Sequence, residues 1–467
     1  MRRNAFLPML AAALSAAACL GGAVPNARLW GDGDRVVFFG DSITHGGAYP
    51  EYISLYYVTR FPGKDIWFSN SGWSGASAPQ GIASIDEDVA AKKPTVVTVM
   101  FGMNDVGRNL WPREGKSQTV TPAQKGRLDA FAANMTNLVS LVRAKAGSPE
   151  IVYVTPSPFD QTCVDGEKLS DVVCNDGLAI LAEKVRGWAK KDGAMCVDLQ
   201  SAICALNAKM QRKDPSFSIL RKENGSLDRV HPGALGHMAF AYYWLTAQGA
   251  PSLVSRIDVN SATLGASHSE GAEVTDVKGD RRGVAFTALE SALPYPFTGA
   301  MFKINELVPF VDSLDQELLV VRNLRAGEYE VKIDGVVVGS WPGADLGRGV
   351  NLATCFKAPQ YLQAQRVREI NARIWALERT VRLFLTRRRW ARMHYKIDPD
   401  DLTAVVGILR GLEEKGRAKG NYDYATYSEY LKAWPKRAET YAALDAARAA
   451  LREAARPVPH KFEITRR

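Results

Sequence analysis

With 467 residues, 46% of them apolar and 23% charged, the chain is proportioned like a water-soluble globular protein of about two or three domains. Beyond the first residues no segment reaches the roughly 18 uninterrupted apolar residues of a membrane span. The net charge of +9 would suit an anionic partner, but the densest basic cluster, TRRRWARMHYK, lies far along the chain from any candidate chemistry. It completes no nucleic-acid motif and reads as the solvated face of a helix, so neither nucleic acid nor stable membrane insertion is expected.

In chain order, residues 1–27 combine a double-arginine start, a short apolar stretch and small residues, which reads as an export signal. Cys19 stands where a lipoprotein anchor would sit, although Ala16 replaces the usual Leu. From Arg35 to about Ala250, short β-rich runs (RVVFF, DIWFSN, TVVTVMF, EIVYVT, AMCVDL) alternate with helical patterns. In one of these, Leu128, Phe131, Met135, Leu138 and Leu141 recur at helical spacing before a stop at Gly147. Such alternation predicts an α/β domain with a five-stranded parallel sheet between helices, whose sites form beyond the carboxyl ends of the strands.

After Pro251, EVTDVKGDRRGVAFTALE and ELLVVRNLRAGEYEVKIDGVVVGSW alternate apolar and polar residues around turns, predicting a small antiparallel unit. Beyond Thr354, the spacing of Ile370, Ile374, Leu377, Val381 and Phe384 predicts an arginine-rich helix with one apolar stripe, followed by further helices. The chain therefore divides into an export signal (1–27), the α/β domain (28–252), a β-rich region (253–353) and a helical region (354–467).

Export permits disulfides: Cys163 with Cys174 and Cys196 with Cys204 would form two local bridges and leave Cys355 free, while buried thiols are the alternative for the second pair. The six histidines show no metal-ligand spacing, and nothing in the pattern argues for a bound metal.

Four stretches, GDSITHG, NSGWSGAS, FGMND and DRVHPGALGH, each follow a predicted strand or, for the last, precede a helix, so they should converge on one sheet edge. A serine hydroxyl becomes a nucleophile when a base takes its proton and a third group orients that base. Ser42 occupies a strand-to-helix turn, and His231 with Asp228, three residues apart, supplies base and orienting carboxylate. Negative charge on an attacked carbonyl needs waiting donors; the candidates are the backbone N–H groups of Ser42 and Gly75 and the amide of Asn104. His45 lacks an evident carboxylate partner and is assigned a rim role or none. His237 is expected to pack in its helix, and Asp41 and Asp105 to hold their loops. Trp73 is expected to be packed, with stacking on a sugar ring as the alternative.

These blocks (Gly40-Asp41-Ser42, Gly75, Gly102-x-Asn104-Asp105 and Asp228-x-x-His231-Pro232) resemble, in content and order, the SGNH or GDSL hydrolase superfamily over roughly residues 35–250. The resemblance implies a flavodoxin-like three-layer fold and ester hydrolysis without a cofactor. It also implies Ser42 as nucleophile, Gly75 and Asn104 as oxyanion donors and His231 as base. Together with export, it makes an acylated glycan or small molecule the expected substrate, with acetyl the expected group. A lipid esterase, a thioesterase, acyl transfer to a sugar and a non-catalytic carbohydrate-binding protein stay open as alternatives, as does the oligomeric state. The loop SPFDQTCVDGEKLSDVVCNDG is expected to wall the pocket.

Overall fold

Four apolar residues in a row, Val36 to Phe39, are each exposed by 1% or less, because the strand that carries them is covered on both faces. The computed structural model describes residues 27–467 apart from 118, 223 and 267; the expected export signal and Cys19 lie outside the described residues. Strand β1 (Arg35–Gly40) leads through α1 (Ser42–Gly46) and α2 (Ala48–Arg60) to β2 (Trp67–Gly72). Then follow α3 (Ala78–Asp88), β3 (Val96–Met100), α4 (Pro122–Lys145), β4 (Glu150–Val154), α5 (Asn175–Asp192), β5 (Cys196–Val197), α6 (Leu199–Gln211) and α7 (Ala234–Ala247). The five strands pair in parallel in the order β2-β1-β3-β4-β5, the flavodoxin-like order. Alternate side chains of β1 serve opposite layers. Phe38 meets Tyr49 of α2 and Trp244 of α7, whereas Phe39 meets Phe101, against which Gly81 of α3 rests.

The second half contains β6 (Leu253–Asn260), β7 (Ala272–Asp280), β8 (Gly283–Glu290), α8 (Gly299–Phe302), α9 (Phe310–Leu314), β9 (Gln316–Arg322), β10 (Glu328–Ile333) and β11 (Val336–Pro342). After α10 (Gly343–Arg348) and β12 (Val350–Asn351), a helical excursion runs through α11 (Pro359–Trp390), α12 (Leu402–Glu414), α13 (Tyr422–Ala433) and α14 (Arg437–Ala454) and returns as β13 (His460–Arg466). Where the sequence pattern predicted one antiparallel unit, there are two sheets, β11-β10-β13-β8-β7 and β12-β9-β6. The β6–β9 pair is parallel, which the long connection between them permits. Strand β13 is central in its sheet, between β10 and β8, and buries Phe462 and Ile464; it falls in a stretch expected to be helical.

The basic cluster is only partly a solvated face: Arg387 and Arg389 are buried, whereas Arg392, Met393 and His394 are exposed. Helix α11 lies along α2 and β2, and Arg382, one turn before the cluster, is fully buried against an equally buried Asp88. Its Nη1 and Nη2 donate to the two carboxylate oxygens at 2.7 and 3.0 Å. Arg389 donates to the same carboxylate and to Glu87, so a buried acid drew these arginines inward. The same helix closes the open edge of β2, an arrangement that guards an edge strand against foreign pairing. Glu378 accepts from Asn70 N–H at 3.2 Å and from Ser69 Oγ at 3.0 Å, and Arg382 Nε donates to Gly72 O at 2.9 Å.

The expected disulfides are not formed: all five described cysteines are free. Cys163 Sγ donates to Ser216 O at 3.2 Å, and Cys204 Sγ accepts from Asn175 Nδ2 at 3.4 Å. Among the described residues no helix is long and apolar enough to cross a membrane.

Candidate active site

The carboxyl end of β1 runs into Asp41, whose buried carboxylate caps α1 by accepting from Ile43 N–H at 3.0 Å. Ser42 is thereby the first residue of a rigid helical turn. Its Oγ lies 2.8 Å from His231 Nε2. On the far side of the ring, His231 Nδ1 is 2.8 Å from Asp228 Oδ1, which also accepts the His231 backbone N–H at 2.9 Å. Lys222 Nζ sits 2.7 Å from the other oxygen of Asp228. Burial opposes ionisation of Asp228, but hydrogen bonds from Lys222 and His231 outweigh it and bring its carboxyl down to about 2.

Between these two residues, Arg229 adopts φ +67°, a left-handed conformation that costs a side-chain-bearing residue free energy unless its surroundings hold it. Here they do. Its Nη1 donates to the carbonyls of Asp160 and Cys163, both at 2.9 Å, and its own carbonyl accepts from Asp160 N–H at 2.9 Å. The loop after β4, expected to wall the pocket, is thus tied to the turn that carries Asp228 and His231.

Gly75 lies in the turn that follows β2. Ala76 N–H donates to Trp73 O at 3.0 Å, and Gly75 has φ +79°, as the third residue of a type II turn requires. A Cβ there would meet nothing within 4 Å, so glycine supplies backbone conformation and not room. Asn104 Nδ2 donates to Ala76 O at 2.9 Å, which ties the amide to the same turn. Arg127 of α4 holds the Asn104 and Asp105 carbonyls. Asp105 Oδ1 accepts from Ala78 N–H at 2.9 Å, the loop-holding expected of it. Burial pushes Asp105 up to about 6, and burial together with nearby Asp105 pushes Asp41 up to about 7. Among the described residues, no intramolecular hydrogen bond takes up the N–H of Ser42 or Gly75.

The structure thus brings Ser42, His231 and Asp228 into one hydrogen-bonded chain, with Gly75 in the turn after β2 and Asn104, in the loop after β3, bonded to that turn. His45 is not part of that chain: its Nδ1 accepts from Ser74, beside Gly75. His237 is buried and stacks on Tyr49 at 6.2 Å between ring centroids. Trp73 is 4% exposed, with Trp390 edge-on and Arg389 over its ring, so no face is left for a sugar. Sequence reasoning missed Lys222, Arg229, Arg127 and Arg382. No local motif marks them, since each acts through the fold. Among the described residues no group of three His, Cys, Asp or Glu side chains is arranged to hold a metal.

A flavodoxin-like sheet with this site at its carboxyl edge belongs to an ester hydrolase. More narrowly, residues 38–239 match the model of the GDSL-like lipase/acylhydrolase family and form a domain of that family, within the SGNH superfamily. An acetylxylan esterase of Geobacillus stearothermophilus is 27% identical over 244 residues, 48% of this chain and 99% of that protein. Over nearly the whole length, the chain is similar to BT4096, a gut microbial diltiazem-metabolizing enzyme. That similarity has a TM-score of 0.83 and 29% identity, covering 96% of this chain and 100% of the other.

Proposed function

We propose that the protein is an exported serine esterase that removes acetyl groups from carbohydrate through an acyl-enzyme. The observation that carries this reading is the continuous chain from Ser42 Oγ through His231 to Asp228, with two links of 2.8 Å. In the first half-reaction Ser42 Oγ bonds to the ester carbonyl carbon as its proton passes to His231 Nε2. The developing oxyanion is met by the N–H groups of Ser42 and Gly75 and the second amide hydrogen of Asn104. Preorganised donors of this kind usually supply the largest share of the barrier reduction. Collapse breaks the bond to the sugar oxygen, which leaves with the proton from His231. Water then attacks the acetyl-serine with His231 as base, acetate departs and Ser42 regains its proton.

The acetyl group and the sugar are supported by the likeness to an acetylxylan esterase. Export is supported by the composition of residues 1–27. Purified protein should hydrolyse para-nitrophenyl acetate at pH 8 and be labelled by a fluorophosphonate, and Ser42→Ala should lose both while unfolding at the same temperature as the parent. A fully active Ser42→Ala enzyme would refute the mechanism. Protein inert to both reagents would instead fit a binding module. Acetylated xylan assayed beside diltiazem and long-chain lipid esters decides the substrate class.

A further inference from the structure

We infer that His45 is a positioning residue for this site, its imidazole serving as the acceptor that fixes the turn carrying the Gly75 N–H. The inference rests on the reading of Gly75 as an oxyanion donor. His45 sits in the same short helix as Ser42, and its backbone N–H donates to Asp41 O at 2.9 Å. The end of β2 is pressed against it: a Cβ at Gly72 would lie 2.1 Å from the His45 nitrogen. Asn70 bridges the two, donating to His45 O at 3.1 Å and accepting from Gly72 N–H at 2.8 Å. From this fixed point His45 Nδ1 receives Ser74 N–H at 3.0 Å and Ser74 Oγ at 2.9 Å.

A backbone N–H can only donate, so Nδ1 must present a lone pair, and the ring is neutral with its proton on Nε2. Ser74 and Gly75 are the two central residues of the turn, and the peptide between them decides where the Gly75 N–H points. A flip of that peptide would exchange a type II turn for type I and aim the N–H away. Anchoring Ser74 by both its N–H and its hydroxyl opposes the flip, while Asn104 holds the far end at Ala76.

The charged groups around the ring are Arg382 and Arg387 of α11 and Asp88 of α3. Burial, and then the two arginines, push His45 down to about 3, against the opposing pull of Asp88. The latch therefore stays an acceptor throughout the range in which an esterase works. Helix α11 takes part in holding the oxyanion turn, since Arg382 also grips Gly72 O, two residues before Ser74.

The test compares His45→Asn, whose Oδ1 takes the place of Nδ1, with His45→Leu, which fills similar space without an acceptor. We expect His45→Leu to lose about 10- to 100-fold in kcat with KM little changed, the size of effect that small misplacements of catalytic groups produce. His45→Asn should recover to within about threefold of the parent. A His45→Leu enzyme as fast as the parent overturns the inference, as does an equal loss in both variants, which would mean that ring packing and not the acceptor matters. Nitrogen-15 NMR of the unaltered protein, with the signal assigned by its loss in His45→Asn, supplies a readout independent of turnover. The expected ring carries its proton on Nε2 and does not titrate between pH 5 and 9, and a titrating ring or the opposite tautomer overturns the inference. If the esterase reading itself is wrong, the parent protein shows no turnover to lose, which separates that failure from failure of the latch alone.

Discussion

At the scale of single residues, the site separates groups whose charge must change from groups whose charge must not. Asp228, brought down to about 2, stays ionised at any pH near neutrality, and His45 stays neutral. His231 must be neutral to work as the base, since a protonated imidazole cannot take the serine proton. Activity should therefore fall on the acid side of the kcat/KM profile, and a flat acid limb would count against His231. Asn104→Ala should lower kcat by roughly 10²–10³, equivalent to about 2.7–4 kcal/mol of transition-state stabilisation, with KM changed far less. Stopped-time assays at saturating ester measure this. Ser42, Gly75 and Asn104 were legible in the sequence because each stands inside a short motif next to a strand end, and Asp228 and His231 because theirs stands just before α7. Lys222 and Arg229 were not, because their roles depend on a carboxylate oxygen and on carbonyls that only the folded loop presents. Trp73 beside Gly75 was ambiguous for the same reason: the covering residues, Arg389 and Trp390, lie more than three hundred positions away.

At the scale of elements, α11 is the piece whose pattern was readable and whose destination was not. Its apolar spacing predicted a helix with a buried stripe, and Ile374, Val381 and Phe384 are indeed buried. Arginines on a helix are usually solvated, so nothing local announced that Arg382 would meet Asp88 at zero exposure. Breaking such a pair by removing one partner leaves an uncompensated buried charge and typically costs about 3–5 kcal/mol. Asp88→Asn, which leaves Arg382 without a carboxylate and Arg389 with Glu87 alone, should lower the urea midpoint by an equivalent amount. A change below about 1 kcal/mol would show that water reaches the cluster. Strand β13 was missed although its signal was present: His460, Phe462 and Ile464 are buried in alternation, the period of a strand, but the segment followed a long helical run and was read as its continuation.

At the scale of the whole molecule, the two sheets of the second half and the start of α11 meet at a buried pair of acids. Glu290 on β8 accepts from Ser255 on β6, and Glu317 on β9 accepts from Gln360 on α11 at 2.9 Å. Burial raises Glu290, and burial together with the neighbouring Glu290 raises Glu317 well above its ordinary 4.5. The folded protein thus keeps a proton that the unfolded chain releases near pH 4.5, so this joint loses stability as pH rises from that value toward the folded pKa. The slope is up to about 1.4 kcal/mol per pH unit for each such proton. Glu317→Gln should flatten the fall in stability between pH 5 and 9, followed by chemical denaturation, and an unchanged slope would assign the effect elsewhere. A related consequence follows from the return of β13 to the middle of its sheet. The exposed loop between α12 and α13 contains Arg417 and Lys419, a natural cleavage point for trypsin, yet the fragments on either side are clasped by strand pairing. The molecule is therefore divisible without falling apart: two polypeptides joined only by contact should co-purify after such a nick, and coexpressed separately they should reassemble as a split enzyme.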